Sequence, residues 1–455
     1  MPFLFVFPKP TDAPPRDQPG AADRLTALLC PYRGPVQRIE LAHGQLYLSS
    51  LAEITPTGVA IPARTRKNPQ TAWLEIRIDD HGVHFETDPL GTFPLWYAED
   101  DARLIVTSEV KSVLALDGFE VGFEPERWPA DRKRPPDYSP YANVRRVSPG
   151  ANLHVTPALE TREQRRPTLD YQPAALLASD EERQAGLDTA LLASARAMAA
   201  ADGPWGAFLS GGIDSSMATA LMMRSHADLR TFTLGTEYGN EYAEAEALAS
   251  FLGTEHARVT ATEPDAVAHF ERAVFCNETI DGLTAETLAQ LSVLAQAAAA
   301  GVRRVVTGYG ADLLFGSMLR HQLYLQVTGV DDLQSLIERT CWSGEFAPFY
   351  AWALGIEVHH LFWDPQLMNC AFQIPAAASF DGTREKLVLR TLAVERGYMN
   401  QDHAFRTKQA LTDGTQFNRL LSVGFGLGDR YAYDEKSARA VAVLRRVFET
   451  GPPPR

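Results

Sequence analysis

Apolar and polar positions follow two different periods along this chain, and the change of period divides it. Up to about residue 165 the apolar positions alternate with polar ones in short segments, Gln45 to Ser50, Trp73 to Ile78, Val83 to Glu86 and Leu104 to Val106. Turn residues separate them, as in Asp79-Asp80-His81-Gly82 and Glu99-Asp100-Asp101. A period of two puts alternate side chains on one face of a strand, so residues 1–165 are predicted to form a β-rich domain. The opening run Met1-Pro2-Phe3-Leu4-Phe5-Val6-Phe7 reads as its first strand; it is short and lacks the basic flank of a signal peptide. The polar, Pro-containing stretch Leu159 to Tyr171 is expected to be a linker.

From Asp180 onward the pattern changes. Long Ala- and Leu-rich helical stretches alternate with short apolar runs at Ala207-Phe208-Leu209, Arg230 to Leu234 and Arg304 to Val306. Such alternation predicts an α/β domain over residues 175–450, a doubly wound sheet of parallel strands. In sheets of this kind ligands lie beyond the carboxyl ends of the strands, which is where Ser210 and Thr307 fall.

Charge narrows the range of partners. A net charge of −14 disfavours a nucleic-acid groove, because phosphate contacts along a duplex need a basic face. Cys30, Cys276, Cys341 and Cys370 are scattered without C-x-x-C spacing and read as reduced thiols of a cytoplasmic protein. Apolar stretches such as Leu291 to Ala300 stay well short of the roughly 20 residues needed to cross a bilayer. The helices of the second domain leave room for a homodimer, and no membrane or nucleic-acid partner is expected.

The most informative segment is Phe208-Leu209-Ser210-Gly211-Gly212-Ile213-Asp214-Ser215-Ser216, an apolar run that breaks into S-G-G-x-D-S and continues as a helical pattern. Gly211 and Gly212 let the backbone curl so that successive N–H groups face one point. The following helix adds the positive end of its dipole. Ser210, Ser215 and Ser216 add hydroxyl donors, and Asp214 is placed to hold a cation. This is a pyrophosphate cradle, distinct from the G-x-x-x-x-G-K-[ST] loop. Loops of this kind belong to enzymes that split ATP into AMP and pyrophosphate.

A second Gly-rich turn follows the run Arg304-Val305-Val306 and reads Thr307-Gly308-Tyr309-Gly310-Ala311-Asp312. Alone it is also consistent with an ordinary tight turn. Paired with the first, it places Asp214 and Asp312 at neighbouring strand ends, where two carboxylates can share Mg²⁺ on the phosphates of ATP.

The two motifs resemble the synthetase domain of the asparagine synthetases, and more closely that of their relatives, the β-lactam and carbapenam synthetases. Further segments carry the likeness. Thr87-Asp88-Pro89-Leu90-Gly91 to Tyr97, Thr107-Ser108-Glu109-Val110-Lys111 and Val147-Ser148-Pro149-Gly150 look like the family's Ntn-hydrolase-type glutaminase domain, and Asn277 to Glu286 is similar to the carbapenam branch. Glutaminases of that type use an N-terminal Cys as nucleophile, and here Pro2 stands second, so the resemblance implies a glutaminase-like scaffold that releases no ammonia.

The remaining site residues rest on that likeness. It implies that the synthetase half is a PP-loop ATP pyrophosphatase using ATP and Mg²⁺. Tyr309 falls where the β-lactam-forming branch carries its catalytic Tyr, and Glu345 matches the Glu paired with it. A phenol with an ordinary pKa near 10 is close in basicity to an aliphatic amine and suits its deprotonation. Taken alone, Tyr309 also reads as a packed turn aromatic and Glu345 as a solvated charge. Lys408 matches a lysine that steadies departing pyrophosphate. Lys386 matches a second phosphate-contacting lysine, or else is a helix-surface lysine paired with its neighbours. Leu234-Gly235 resembles the segment that holds adenine through backbone groups, and Gly308 belongs to the nucleotide-side turn. The resemblance implies an AMP-forming ligase that adenylates a small amino-acid-derived carboxylate and closes a lactam within it. Thr412-Asp413-Gly414 departs from the H-E-G of that branch toward the S-D-G of asparagine synthetases, which keeps an intermolecular amide ligase open.

Overall fold

A computed structural model describes residues 3–9, 20–29, 36–49, 53–55, 58–61, 70–88, 91–127, 139–148, 150–165, 179–201, 203–225, 228–315, 349–372, 374, 376–379, 381, 383–407 and 411–450. Met1, Pro2, Cys30, Cys341, Glu345 and Lys408 lie outside the described residues.

The first half is built on two six-stranded sheets. One contains β1 (Phe3–Pro8), β2 (Val36–Leu41), β3 (Gly44–Ser49), β8 (Trp96–Glu99), β9 (Arg103–Thr107) and β12 (Val144–Arg146), in the order β12-β8-β9-β1-β3-β2. The other contains β4 (Glu53–Thr55), β5 (Gly58–Ile61), β6 (Leu74–Asp79), β7 (Gly82–Thr87), β13 (Ala151–Val155) and β14 (Thr161–Arg165), in the order β14-β13-β7-β6-β5-β4. A two-stranded ribbon of β10 (Gly122–Phe123) and β11 (Tyr141–Ala142) also lies in this half.

The sheets meet face to face. Phe3, Phe5 and Phe7 on alternate positions of β1 pack against Phe85, Ile76 and Val83 of the second sheet, with Phe3 and Phe85 stacked at 6.0 Å. The opposite face of β1, Leu4 and Val6, is covered by helix α1 (Ala21–Leu28) and by Val110 and Val113. A strand buried on both faces reads as a continuous apolar run, which explains why this segment shows no alternation.

One expectation is corrected here. The stretch Leu159–Tyr171 is not all linker, since Thr161–Arg165 is a strand paired antiparallel with β13. It is the sheet's edge, and the charged residues that protect such an edge from pairing with other chains also hide it from a hydrophobic pattern.

The second half is a three-layer α/β unit. Its strands are β15 (Trp205–Phe208), β16 (Leu229–Thr236), β17 (Gly239–Asn240), β18 (Glu255–Thr260), β19 (Arg304–Thr307) and β20 (Glu357–His360). Parallel pairing runs β18-β16-β15-β19-β20, and β17 folds back antiparallel on the end of β16. The earliest strand therefore lies in the centre and the chain winds outward in both directions. Helices α2 (Asp180–Ala199) and α3 (Ile213–Ser225) bury one face of the sheet, and α4 (Glu263–Asn277) lies in the core of the other. Ser179 starts α2 with a reciprocal capping box to Glu182.

The two halves are joined by polar contacts as well as packing. The N–H groups of Val110 and Lys111 donate to Glu278 at 2.7 and 2.6 Å, His360 N–H donates to the Gln70 carbonyl at 2.8 Å, and Thr71 Oγ1 donates to the Val358 carbonyl at 3.1 Å. Burial pushes the Glu278 carboxyl up, against the pull of Lys111 and the two N–H donors. Cys276 and Cys370 are free thiols.

Candidate active site

The outward winding puts β15 and β19 side by side at the centre of the sheet, and open α/β sheets bind ligands beyond the carboxyl ends of such strands. The Ser210 loop leaves β15 and the Thr307 loop leaves β19, so both Gly-rich turns open onto one place.

The first loop is held by its own hydroxyls. Gly211 takes a left-handed φ of 72°, open to glycine without strain. Ser210 Oγ lies 3.1 Å from Ser215 Oγ and accepts from Gly212 N–H at 3.4 Å. Ser215 Oγ and Ser216 Oγ both donate to the Gly212 carbonyl, at 3.2 and 2.6 Å. Ser216 is buried and braces the loop, whereas Ser210 and Ser215 are half-buried.

Gly308 sets the second loop directly against the first. A Cβ there would lie 2.3 Å from the Asp214 carbonyl carbon and 2.5 Å from Ser215 N, so only glycine fits. Gly310, at φ 96°, passes under the Trp363 ring.

Lys386 joins the two turns. Its ammonium donates to Asp214 Oδ1 and Oδ2 at 2.6 and 2.5 Å and pairs with Asp312 Oδ1 at 2.7 Å. The lysine side chain is 0% exposed, which excludes the helix-surface reading. It precedes the helix Leu387–Glu395 in a left-handed conformation, φ 59°. The Arg390 guanidinium, on that helix, donates to the carbonyls of Glu385, Ala404 and Arg406, and burial lowers its pKa.

Other site residues take ordinary structural places as well. Tyr309 is half-buried; its N–H donates to Thr307 Oγ1 at 3.3 Å and its ring lies 5.6 Å from that of His360. Thr307 Oγ1 and His360 Nδ1 are 2.8 Å apart, and burial pushes the His360 imidazole down to about 3. Leu234 and Gly235 end β16, where the Gly235 carbonyl already accepts Ala261 N–H at 2.9 Å.

Arg406 and Glu241 escaped the sequence reading. Arg406 donates to Glu241 Oε1 at 2.9 Å and to the Ser210 carbonyl at 3.4 Å, so its guanidinium braces the cradle from behind. Glu241 is nearly buried, and burial raises its carboxyl pKa against the opposing pull of Arg406. Gly414 seats against the same carboxylate, and Thr415 accepts from Thr236 Oγ1 at 2.6 Å. Arg406 stands two residues before Lys408, which was the available signal; Glu241 offered none, since a buried carboxylate looks like a solvated one in sequence.

The donor set fits Mg²⁺ of the kind bound by one or two carboxylates together with substrate phosphates. Asp214 and Asp312 are gathered around one cation, and among the described residues no group of three or more His, Cys, Asp and Glu side chains forms a self-sufficient metal cage. No described helix is long and apolar enough to cross a membrane.

Comparison with known proteins points to the same stretch of chain. Residues 186–344 match the asparagine synthase family model, a span that includes both strand-end loops. This stretch is therefore similar to an asparagine synthase domain, and the likeness fits the asparagine synthetase superfamily. The chain is 28% identical over 247 residues to the carboxyethyl-arginine beta-lactam-synthase of Streptomyces clavuligerus, covering 53% of this chain and 46% of that protein. It is also 26% identical over 241 residues to asparagine synthetase [glutamine-hydrolyzing] 1 of Lotus japonicus, covering 48% and 40%, and 27% identical over 256 residues to the Bacillus subtilis asparagine synthetase [glutamine-hydrolyzing] 1, covering 54% and 39%. The matched stretch therefore spans less than half the length of these relatives.

Proposed function

We propose that the protein is an ATP- and Mg²⁺-dependent ligase that adenylates the carboxylate of a small amino-acid-derived substrate and closes an amide within it, giving a β-lactam or related lactam, AMP and pyrophosphate. The observation that carries this reading is the meeting of the Ser210 and Thr307 loops at one place, with Asp214, Asp312 and Lys386 between them. Such a cradle grips the far phosphates and leaves the α-phosphorus open to attack by an acid, which is AMP-forming chemistry.

Bound Mg²⁺ would neutralise phosphate charge between Asp214 and Asp312. This chain's own residues do the rest. The loop N–H groups and Ser210 and Ser215 hydroxyls hold pyrophosphate, Lys386 and Lys408 offset its charge, and the end of β16 at Leu234 and Gly235 receives adenine. Tyr309, oriented by Glu345, takes the proton from the attacking amine. Closing a strained ring is uphill from the free acid, so the adenylate provides the driving force and the pocket brings amine and carbonyl to about 3.5 Å. The facing sheets of the first half are consistent with an Ntn-hydrolase-like scaffold over residues 1–165, with the synthetase over 175–450. The enzyme is proposed to act in the cytoplasm, in antibiotic or other secondary-metabolite synthesis.

A second reading, an intermolecular ligase using ammonia or another amine, is supported by Thr412-Asp413-Gly414 and by the seat of Gly414 on the Glu241 carboxylate. Incubation with ATP, Mg²⁺ and a panel of β-amino acids, followed by mass spectrometry, separates the two. Loss of one water from a single substrate means cyclisation; a product whose mass is that of acid plus amine less one water means intermolecular ligation. Cleavage of ATP to ADP would remove both.

A further inference from the structure

The position of the Lys386 ammonium is the position a shared divalent cation needs. Three acidic oxygens, two from Asp214 and one from Asp312, lie 2.5–2.7 Å from its nitrogen. We propose that Lys386 is a built-in placeholder cation: it fills the divalent-metal position until nucleotide arrives, so that metal and triphosphate bind only together. This rests on the reading above that Asp214 and Asp312 hold the metal.

Charge and solvation set the order of exchange. A divalent ion cannot share these oxygens with an ammonium at the same distance, because like charges repel strongly where water is scarce. The ammonium must therefore leave before the metal settles. Buried and stripped of its carboxylates, it would lose its compensating charge, which is costly in a desolvated place. The guanidinium of Arg390, which donates to the Arg406 carbonyl, and that of Arg406, which donates to the Ser210 carbonyl, offer it no relief, being cations themselves. A triphosphate does, since its oxygens accept charge-assisted hydrogen bonds from the displaced ammonium. Nucleotide thus lowers the cost of metal entry, and by reciprocity metal raises nucleotide affinity by the same factor.

The fold allows the exchange with little backbone change. The Lys386 carbonyl accepts from Arg390 N–H at 3.0 Å, and the Arg390 guanidinium is fixed on the Glu385 carbonyl. The backbone at Lys386 is thereby held in its left-handed conformation, and only side-chain torsions need alter. A flexible lysine stem suits such a move better than a planar arginine fork.

The test needs no substrate. Titration of the full chain with Mn²⁺ in the absence of nucleotide, read from the free-Mn²⁺ electron paramagnetic resonance signal, gives the metal affinity directly. Lys386→Met is expected to bind Mn²⁺ about tenfold tighter than wild type, whereas Lys386→Arg, which keeps the charge, stays as weak as wild type. Adding Asp312→Asn to Lys386→Met should remove the gain. Circular dichroism checks the fold, and Lys386→Gln, polar and shorter, repeats the comparison if the Met variant is unstable. Equal Mn²⁺ affinity in wild type and the uncharged variants, or tight Mn²⁺ binding by nucleotide-free wild type, overturns the proposal. Neither outcome depends on which amide the enzyme forms, and cleavage of ATP to ADP would sink the lactam reading while leaving this result untouched.

Discussion

Gly308 presses its Cα onto the peptide between Asp214 and Ser215, and this contact joins the two halves of the candidate site. A methyl at Gly308 would lie at 2.3 Å from backbone atoms that cannot rotate away. Gly308→Ala is therefore expected to push the Thr307 loop off the Ser210 loop by roughly an ångström. Displacements of that size in a reacting geometry cost on the order of 10²-fold in rate. Pyrophosphate release should fall by about that factor while circular dichroism stays native. Unchanged release would show that the two loops work independently.

A second prediction concerns Arg406, which braces the cradle without belonging to it. Its fork ties the Ser210 carbonyl to Glu241, a geometry that an ammonium cannot copy. Arg406→Lys should raise the KM for ATP about tenfold with a smaller change in kcat, since the fork preorganises a binding loop and touches no reacting atom. Glu241→Gln keeps a hydrogen-bond acceptor and should have a milder effect of the same kind. A loss confined to kcat would place Arg406 in the chemistry instead.

These residues mark the limit of what the sequence discloses. The Ser210 loop was legible as a turn at a strand end because glycines, serines and an aspartate follow an apolar run at fixed spacing. The Thr307 loop was legible for the same reason, and the parallel sheet from its short apolar runs between helical stretches. Glu241, Arg390 and His360 were not, because their roles arise from burial and from partners that no local pattern encodes: Arg406 lies 165 residues from Glu241 and Thr307 lies 53 from His360, while Arg390 donates to the Ala404 and Arg406 carbonyls beyond its own helix. Strand β14 was hidden by its edge position, where polar residues are favoured on both faces.

Acid should weaken the fold through His360. Burial holds its imidazole near 3 in the folded protein, against an ordinary value of 6.5. Below 6.5 the unfolded chain takes up a proton that the folded chain refuses, so stability falls as pH drops from about 6.5 toward 3 and is fully present above that window. The slope from one such proton is up to about 1.4 kcal/mol per pH unit. His256, His269 and His359 are lowered by burial as well and add to it. Chemical denaturation of wild type and His360→Gln at pH 7, 5.5 and 4.5 checks this. The variant should be less stable at pH 7, because it loses the contact with Thr307, but should decline less steeply with acid; parallel curves would mean that His360 does not titrate with unfolding.

The final prediction separates activation of the acid from attack by the amine. Tyr309 leaves β19 on the loop that Gly308 fixes against Asp214, close enough in the chain to serve the site, with its ring supported by His360. Removing only the hydroxyl, as in Tyr309→Phe, leaves that packing in place. If Tyr309 takes the proton from the amine, the variant should still form the adenylate and exchange labelled pyrophosphate into ATP at close to the wild-type rate. Amide formation should drop by about 10²- to 10⁴-fold, the usual contribution of a positioned general base. An equal fall in exchange and product would move Tyr309 to the adenylation step, and wild-type turnover would leave it a packed aromatic with no part in the reaction.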